Sequence, residues 1–551
     1  MKKYKINLKT IVIVLLGVML FNACNKDDEA FDKTRLFRPV LNEDLFSLEN
    51  TIIVNMGKLK EAISYTVEVS RDTFKSIDYT IVTDTNYIEI NKSLIGEELY
   101  WNTLYQVRAT AFSADPQYDS KLADLGNVRT QRFPTILNVP KAFDITDIAA
   151  RVTWTLAGES VTGMKVFSVD DLQLANPLFD EVPVDEEGQL AGEAFIDGLD
   201  PETEYQIAIY SGELLRGWVK YTTKIQDIDP NGPGVIDIRE NDSPSAVSDA
   251  VASAPDAAII LVKRGMTYDF PSDRLDKSIT IRAAYGFGEQ KAQLYTTGNM
   301  DISDGANIDH IRFIDLELRG EDYTGDYVFN ANREGVYVGE LSFEDCEIGT
   351  FRGVMRMRGT IELNNYIISN TVVDSIGGYG LLTTDTNPSD PPTARVNNIK
   401  FVNSTFNKVQ AGITSRNNSQ TILIENCTFA NFVQSGNYIF RYRGGDGNND
   451  VLNGIEIKNS IFGHGWDESD GDNYAIKGKD GLDNTSISIV NTYSTSDFEF
   501  SGNEIAGFPV GNYGGPQDQL WKNPELNNFY FKDSGFPGRF NSGASRWRDR
   551  L

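Results

Sequence analysis

A short motif recurs along the C-terminal half of the chain and limits the folds that this half can adopt. Each copy is a nine-residue piece with apolar residues at its second and fourth positions and Asn or Asp at its sixth. Seven copies follow at intervals of 23 to 33 residues, and their sixth residues are Asp315, Asp345, Asn370, Asn403, Asn426, Asn459 and Asn491. A repeat of this length without helical periodicity predicts a solenoid of strands.

The Asn column predicts a ladder of side chains at one bend of each coil. An Asn in such a bend can bond its neighbours in successive coils and satisfy groups that a turn leaves unpaired. The next position should point inward, and Cys346 and Cys427 occupy it in two copies. Three coils separate them, about 14 Å at ~4.8 Å per strand, which is too far for a disulfide. We therefore expect two free, buried thiols.

With these repeats, residues 235–551 resemble the right-handed parallel β-helix of the pectate-lyase-like superfamily. The start of the segment also fits, since residues 257–270 resemble the first coil of such proteins. Before them, residues 245–254 predict an amphipathic helix that would cover the open end of the apolar core. Its apolar face would hold Val247, Ala250, Val251 and Ala254.

Two segments before the repeats, residues 37–134 and 136–224, contain short alternating apolar and polar stretches that predict β-sandwiches. Residues 199–205 of the second, Leu-Asp-Pro-Glu-Thr-Glu-Tyr, resemble the tyrosine-corner strand of fibronectin type III domains, and Trp154 fits the buried tryptophan of that family. The first segment resembles the family more loosely, through Leu99, Thr103, Tyr105 and Val107.

The predicted fold is therefore all-β, with two fibronectin type III-like β-sandwiches followed by a right-handed parallel β-helix. Between the second sandwich and the β-helix, residues 229–234 are rich in Pro and Gly and predict a stiff linker.

The N-terminus has the pattern of a secretory signal. Several lysines precede an apolar run, residues 11–21, which is shorter than the ~20 residues of a membrane-spanning helix. The run resembles a lipoprotein signal, cut between Ala23 and Cys24 once the cysteine carries lipid. This resemblance implies that residues 1–23 are removed and that acyl chains on Cys24 anchor the protein stably.

Residues 24–36 are predicted to form an acidic linker after the lipid anchor. Their first part, residues 25–29, resembles the acidic tag that sends lipoproteins of some Gram-negative anaerobes to the outer face of the outer membrane. We therefore expect a lipid-anchored protein of the outer membrane that faces the cell exterior. A charge run of this kind is also common in solvated linkers.

Charge and histidine content narrow the classes of partner and chemistry. The chain has 79 acidic and 51 basic residues and a net charge of -28, which argues against nucleic acid as a partner. Its two histidines, His310 and His464, argue against zinc and triad chemistry. His464 remains an alternative acid or base.

Basic residues recur in the strands that follow the ladder bends, at residues 354–359, 439–444 and 475–479. Alternate residues of a strand share a face, so stacked coils should align these side chains. We call the expected surface the basic strip, and its predicted members are Arg356, Arg358, Arg416, Arg441, Arg443, Lys477 and Lys479. No acidic residue alternates with them in their own strands, and arginine forks suit regularly spaced carboxylates. The alternative is a set of solvated side chains on an outer face.

Two loops near these strands are acidic and contain glycine, at residues 446–450 and 467–472. Their oxygen-rich character suits a hard cation such as calcium, with Asp446, Asp450, Asp470 and Asp472 as predicted ligands. Solvated turns are the alternative interpretation.

The whole chain resembles the multidomain lipoproteins of starch-utilisation-like uptake systems, which implies a glycan ligand and an outer-membrane uptake transporter as a partner. The first hypothesis is a surface protein that binds an acidic polysaccharide such as pectin for uptake. A polysaccharide lyase is the second, because pectate-lyase-like enzymes use Arg or Lys as a base with calcium or Arg neutralising the uronate. Lys477 or Arg441 would be that base, beside Asp450 and Asp472. The third is a structural or adhesive stalk.

Overall fold

The computed structural model describes residues 34–548 apart from 272, 297, 390, 391, 470 and 472. The predicted signal peptide, Cys24, Asp470 and Asp472 lie outside the described residues. The chain is all-β, as the sequence predicts, and its contacts define two compact units. One unit holds most of the chain up to residue 220, and the other holds residues 139–152, 195–203 and 221 onward. Within the described ranges, the helices are too short or too polar to cross a membrane.

The first sandwich consists of two antiparallel sheets. Its strands are β1 (Phe46–Leu48), β2 (Thr51–Asn55), β3 (Ala62–Ser70), β4 (Tyr79–Thr83), β5 (Tyr87–Ile90), β6 (Leu104–Ser113) and β7 (Ala123–Arg129), with a short helix α1 (Lys92–Ile95). The sheet orders are β1-β2-β5 and β4-β3-β6-β7, the seven-strand arrangement of a fibronectin type III-like domain. The Tyr105 hydroxyl accepts a 2.9 Å hydrogen bond from the Tyr100 backbone, which is the contact of a tyrosine corner.

The second sandwich segment repeats this strand order in part. Its elements are β8 (Ala149–Thr153), β9 (Gly163–Ser168), β10 (Val182–Pro183), α2 (Glu186–Ala191), β11 (Glu193–Asp197), β12 (Glu204–Ser211) and β13 (Leu214–Thr222). One sheet has the order β10-β9-β12-β13, and β8 pairs with β11. Trp154 and Tyr205, the two residues that carry the family resemblance, are both buried.

Twenty-three consecutive strands then form a parallel β-helix made of successive coils. Each strand pairs with the equivalent strand of the next coil. We call its three faces sheets A, B and C, in the order in which the chain visits them. Sheet A carries the apolar residues of the repeat, and its separate strands are β14 (Val235–Asp237), β15 (Ala258–Val262), β17 (Ile279–Ala283), β19 (Asn307–Ile314), β24 (Arg395–Val402), β27 (Thr421–Glu425), β30 (Ile455–Lys458) and β33 (Ile487–Val490).

Sheet B follows the ladder bend, and its separate strands are β16 (Thr267–Asp269), β18 (Ala292–Thr296), β20 (Leu316–Gly320), β25 (Thr405–Val409), β28 (Thr428–Phe432), β31 (Ile461–Phe462), β34 (Tyr493–Ser494) and β36 (Gly511–Asn512). Sheet C has the separate strands β26 (Ile413–Ser415), β29 (Tyr438–Tyr442), β32 (Ile476–Asp480) and β35 (Phe500–Gly502). Three long strands continue round the corners between sheets, namely β21 (Tyr327–Glu344), β22 (Glu347–Ser369) and β23 (Val372–Thr384).

The predicted ladder is confirmed, and the backbone gives a second reason for it. All seven ladder residues have φ between 45° and 56°, a left-handed conformation that Asn and Asp adopt more readily than most residues. Their side chains also bond from coil to coil: Asn403 Nδ2 donates to Asn370 Oδ1 at 2.8 Å, and Asn491 Nδ2 donates to Asn459 Oδ1 at 2.9 Å. The column therefore combines strained turns with side-chain bonds between them.

The position after each ladder residue points inward, as predicted. Cys346 and Cys427 are fully buried and free, and burial raises the pKa of each thiol to about 12. Hydroxyls at the same position continue the ladder inside the coil, since Thr371 Oγ1 accepts from the Cys346 backbone and Ser460 Oγ from the Cys427 backbone, both at 3.1 Å. Both thiols are therefore part of the core.

A helix covers the start of the coil, and the C-terminal tail lies on one flank. At the start, α3 (Ala246–Ser253) buries its predicted apolar face against the first strands, so the amphipathic interpretation is confirmed. At the other end, the chain forms α4 (Gln517–Leu520), β37 (Trp521–Asn523) and β38 (Asn528–Phe531). Trp521, Phe529 and Phe536 of this tail pack with Ile461 of sheet B, which places the tail on the flank of the coil.

Candidate functional site: the basic strip on sheet C

The register of sheet C brings the predicted arginines together in two adjacent columns. Arg356 pairs with Thr383, which pairs with Thr414, which pairs with Arg441, so the two arginines share one column. Two positions further along the chain lie Arg358, within β22, and Asp385, Arg416 and Arg443, which directly follow β23, β26 and β29. Backbone bonds keep the parallel register there. The alternation of a strand explains why five arginines share one outer face.

A carboxylate that sequence reasoning missed lies among these arginines. Asp385 accepts a 2.6 Å hydrogen bond from Arg356, and its other oxygen lies 3.8 Å from Arg416 and 3.7 Å from Arg443. Arg441 has its own partner, Asp480, at 3.4 Å. The expectation of a face without acidic residues is therefore wrong, because Asp385 comes from the strand between and Asp480 from the next coil.

Even with these partners the strip keeps an excess of cationic hydrogen-bond donors. The Nε–H groups of Arg356, Arg358, Arg416 and Arg443 are buried and have no hydrogen-bond acceptor among the described residues. Arg358 donates to the neutral Asn330 side chain at 3.0 Å, so its charge is not neutralised by that contact. Buried donors without acceptors cost about 1–3 kcal/mol each, and a bound anion would remove part of that cost.

Crowding changes the pKa values of two of these arginines in opposite directions. Burial, and then repulsion from Arg416 and Arg441, lowers the pKa of the Arg443 guanidinium. Burial is also the largest single effect on Arg356, but the hydrogen bond to Asp385 and the interactions with Tyr379, Tyr327 and the Asp385 charge together outweigh it and raise the pKa of that guanidinium. Burial and the neighbouring cations therefore lower the pKa of Arg443, an effect that the sequence could not show.

Two tyrosines border the arginines on the same face. The Arg356 guanidinium lies 4.2 Å from the centre of the Tyr379 ring. Tyr438 lies under both predicted bases, with Arg441 at 5.3 Å and the Lys477 ammonium at 5.1 Å from its ring centre. Lys477 pairs with Tyr438 in the register, so this lysine joins the strip at its end. Tyr379 had no signal in the sequence, because it follows two glycines at a corner between sheets.

Lys479 contacts the turn that follows its strand. Its ammonium donates to the backbone oxygens of Gly481 and Leu482 at 3.3 and 3.4 Å, so it closes the turn that follows its strand. The place of Lys479 in the strip therefore stays a prediction.

The described acidic residues do not fit the predicted calcium site. Asp450 accepts hydrogen bonds from the Asn484 backbone and side chain at 2.9 and 3.1 Å, and from Thr485 at 3.3 Å, so both of its oxygens are engaged. Asp446 is exposed on the loop before it. Within the described part of the chain, no three His, Cys, Asp or Glu side chains are grouped so as to hold a metal ion. Asp450 instead anchors the turn of the next coil.

Comparison with protein families assigns two segments of the β-helix. Residues 266–409 match a Domain of unknown function (DUF4957), and residues 422–547 match a second Domain of unknown function (DUF5123). The first match contains Arg356, Arg358 and Asp385, whereas Arg441, Arg443 and Lys477 lie in the second. The strip thus crosses from one matched domain to the other.

Comparison with the curated proteins finds no match. Among solved structures, the chain is similar to the crystal structure of chicken CNTN1 FN1-FN3 domains, with 16% sequence identity and a TM-score of 0.15. That similarity covers 35% of this chain and 68% of the chicken chain.

Proposed function

We propose that this protein binds an acidic polysaccharide, such as pectin or another polyuronate, along the basic strip. The observation that carries the proposal is the row of arginines whose buried Nε–H groups lack acceptors. Among the described residues, five arginines and Lys477 lie with two acidic partners, Asp385 and Asp480, which leaves a local excess of positive charge on a chain whose net charge is -28. Guanidinium forks match carboxylates geometrically, and carboxylates on successive sugars would meet successive coils.

The resemblance of the N-terminus to a lipoprotein signal supports a location for this binding. Acyl chains on Cys24 would hold the protein at the outer membrane, facing the exterior, where it would deliver glycan to an uptake transporter. Metabolic labelling with a radioactive fatty acid tests the anchor: we expect label in the full-length protein and none in Cys24→Ala. Equal labelling of both proteins would contradict the anchor without affecting the proposed ligand.

The ligand is tested by gel retardation of the soluble chain, residues 25–551, in gels that contain polygalacturonate. Replacing Arg441 and Arg443 together by Ala should weaken retardation by about tenfold or more, since each charge-assisted pair contributes about 1–3 kcal/mol. Arg312→Ala with Arg319→Ala is the matched control, because it removes the same charge from sheets A and B. If both double variants weaken retardation equally, net charge alone explains the binding, and a site on sheet C is contradicted.

A polyuronate lyase is the second candidate, and the crowding at Arg443 favours it. A base that removes a proton beside a uronate carboxylate needs a lowered pKa, and neighbouring cations provide this. Burial and the neighbouring Arg416 and Arg441 lower the pKa of Arg443, and the proposed bases Arg441 and Lys477 both lie over the Tyr438 ring. The same incubation, followed by ultraviolet absorbance of unsaturated uronate, separates cleavage from binding. Neither retardation nor absorbance would favour an adhesive stalk.

A further inference from the structure

A cleft beside the basic strip has a different chemical character. It comprises two adjoining cavities of about 390 and 370 Å³, and Trp466, Asp467 and Glu468 line both. These volumes fall within the range of roughly 300–1,000 Å³ that is usual for small-ligand sites. Its walls come from loops of different coils, including Tyr323 after sheet B and Glu525 in the C-terminal tail. The cleft is therefore produced by coiling and by the return of the tail.

Aromatic rings form one side of this cleft. Tyr323 and Trp466 have ring centres 6.1 Å apart at an angle of 46°, and His464 stacks on Tyr474 at 3.8 Å. All four side chains are half-buried, so each is fixed by neighbours and still reaches the cleft. Flat apolar faces with polar edges suit the C–H face of a pyranose ring, and large aromatic rings bind at a low cost in conformational entropy.

Glu468 is exposed but held in place. Its carboxylate accepts hydrogen bonds from the Tyr323 hydroxyl at 2.7 Å, from Gln410 at 3.0 Å and from Gln434 at 3.3 Å. A carboxylate has about four lone-pair sites, so at least one remains free to accept from a ligand hydroxyl. These contacts fix an acceptor beside the aromatic face, an arrangement suited to a sugar diol.

The negative charge of the cleft disfavours uronates, the acidic sugars that the strip is proposed to bind. Asp467, Glu468 and Glu525 line the cleft, and the lysine among its described lining residues, Lys408, is paired with Glu525 at 2.8 Å. A uronate carboxylate placed here would meet like charges. An uncharged pyranose offers hydroxyl donors to the same carboxylates without that repulsion.

The cleft and the strip are joined by hydrogen bonds. Gln410, which bonds Glu468, also accepts through its backbone oxygen from the Asn437 side chain at 2.8 Å. Asn437 directly precedes Tyr438 of the strip, and its own backbone oxygen accepts from Lys477 at 2.8 Å. The two surfaces are therefore held next to each other by the same residues.

We infer that this cleft is a subsite for a neutral pyranose, so that the protein recognises a polysaccharide with both acidic and neutral sugars. The inference rests on the proposed function only in taking the ligand to be a glycan. Trp466 supplies the stacking face, and Glu468 supplies the fixed acceptor.

Isothermal titration of residues 25–551 with galactotetraose, xylotetraose and mannotetraose tests the subsite. At least one should bind, and Trp466→Ala should weaken it by about tenfold or more, since an aromatic contact of this size contributes ~1 kcal/mol beyond the area it buries. Glu468→Gln keeps an acceptor of similar shape and should weaken it less. Tyr530→Ala, an exposed aromatic residue elsewhere on the tail, should have no effect.

Polygalacturonate retardation of the same variants separates this inference from the proposed function. Trp466→Ala should leave the retardation by polygalacturonate unchanged, because Trp466 is not part of the strip. If none of the three oligosaccharides binds, the neutral subsite is wrong whether or not polygalacturonate is retarded. If Trp466→Ala weakens polygalacturonate as strongly as the arginine variants do, the cleft belongs to the acidic track and the inference also fails.

Discussion

Asn403 contributes to the ladder through both its backbone and its side chain. Its φ is 52°, its amide donates to Asn370, and its oxygen accepts from the Ser545 backbone at 2.6 Å. Asn403→Ala should destabilise the β-helix by about 2–4 kcal/mol, because it loses the bonds and forces Ala into a left-handed turn.

Asn403→Gly separates the two contributions of that residue. Glycine accepts the left-handed conformation, so this variant should be about 1–2 kcal/mol more stable than Asn403→Ala in urea unfolding. Equal free energies of unfolding for the two variants would mean that the positive φ carries no cost and that the bonds alone explain the column.

Asp374 is a carboxyl whose charge the fold disfavours. Burial raises its pKa above 3.8, only partly offset by a bond from Asn527, and its Oδ1 has no partner among the described residues. A folded pKa above the unfolded one means that stability is greatest below the ordinary value and falls as pH rises through the folded pKa. Asp374→Asn should therefore raise the melting temperature at neutral pH and leave it nearly unchanged in acid.

The pKa of Asp467 is shifted in the opposite direction to that of Asp374. Bonds from Ser469 and from the backbone of Asn473 and Ser469 lower its pKa to about 2, so its contribution is present at neutral pH and is lost as pH falls toward 2. Asp467→Asn should lower the melting temperature at neutral pH. A higher melting temperature at neutral pH for both Asp374→Asn and Asp467→Asn would contradict the opposite pKa shifts assigned to these two carboxyls.

At the scale of an element, three arginines from stacked strands of the strip share the carboxylate of Asp385. Asp385→Asn should lower the melting temperature, because Arg356, Arg416 and Arg443 lose their shared counter-ion. Added polygalacturonate should raise the melting temperature more in this variant than in the parent chain, since a uronate would take the place of Asp385.

Asp480→Asn is the control for that experiment, because Asp480 contacts one arginine of the strip at 3.4 Å. Its loss of stability and its response to polygalacturonate should both be smaller. If the two variants respond equally, Asp385 has no special position among the arginines.

At the scale of the whole molecule, the C-terminal tail returns along the ladder and closes it. Gly543 donates to the Asn459 backbone at 2.9 Å, the Trp547 indole donates to Thr405 at 2.8 Å, and Arg548 donates to the Asn426 side chain at 2.8 Å. These contacts reach three successive coils, and those to Asn459 and Asn426 satisfy groups of ladder residues. The tail therefore links coils that are otherwise joined only to their neighbours.

Ending the chain after Ser542 should lower the melting temperature of the β-helix and expose ladder amides to hydrogen exchange. Ending it after Arg548 is the control, since every described contact of the tail remains. Identical exchange in the two shortened chains would show that the tail does not protect the ladder.

Local patterns in the sequence determined much of this protein. The ladder, the inward cysteines and the face of α3 each follow from side-chain alternation or helical periodicity within a few residues, and the structure confirms them. Alternation needs no knowledge of distant residues, because a strand or a helix imposes it on its own side chains.

Only the tertiary structure decided which side chains meet across coils. Asp385 lies among arginines of neighbouring strands, and the cleft joins Tyr323, Trp466 and Glu525, because coils of 23 to 33 residues stack in one particular register. That register depends on the length of every turn, which alternation does not encode. The sequence alone therefore identified the face of the strip, whereas coil stacking determined its charge balance and placed the cleft beside it.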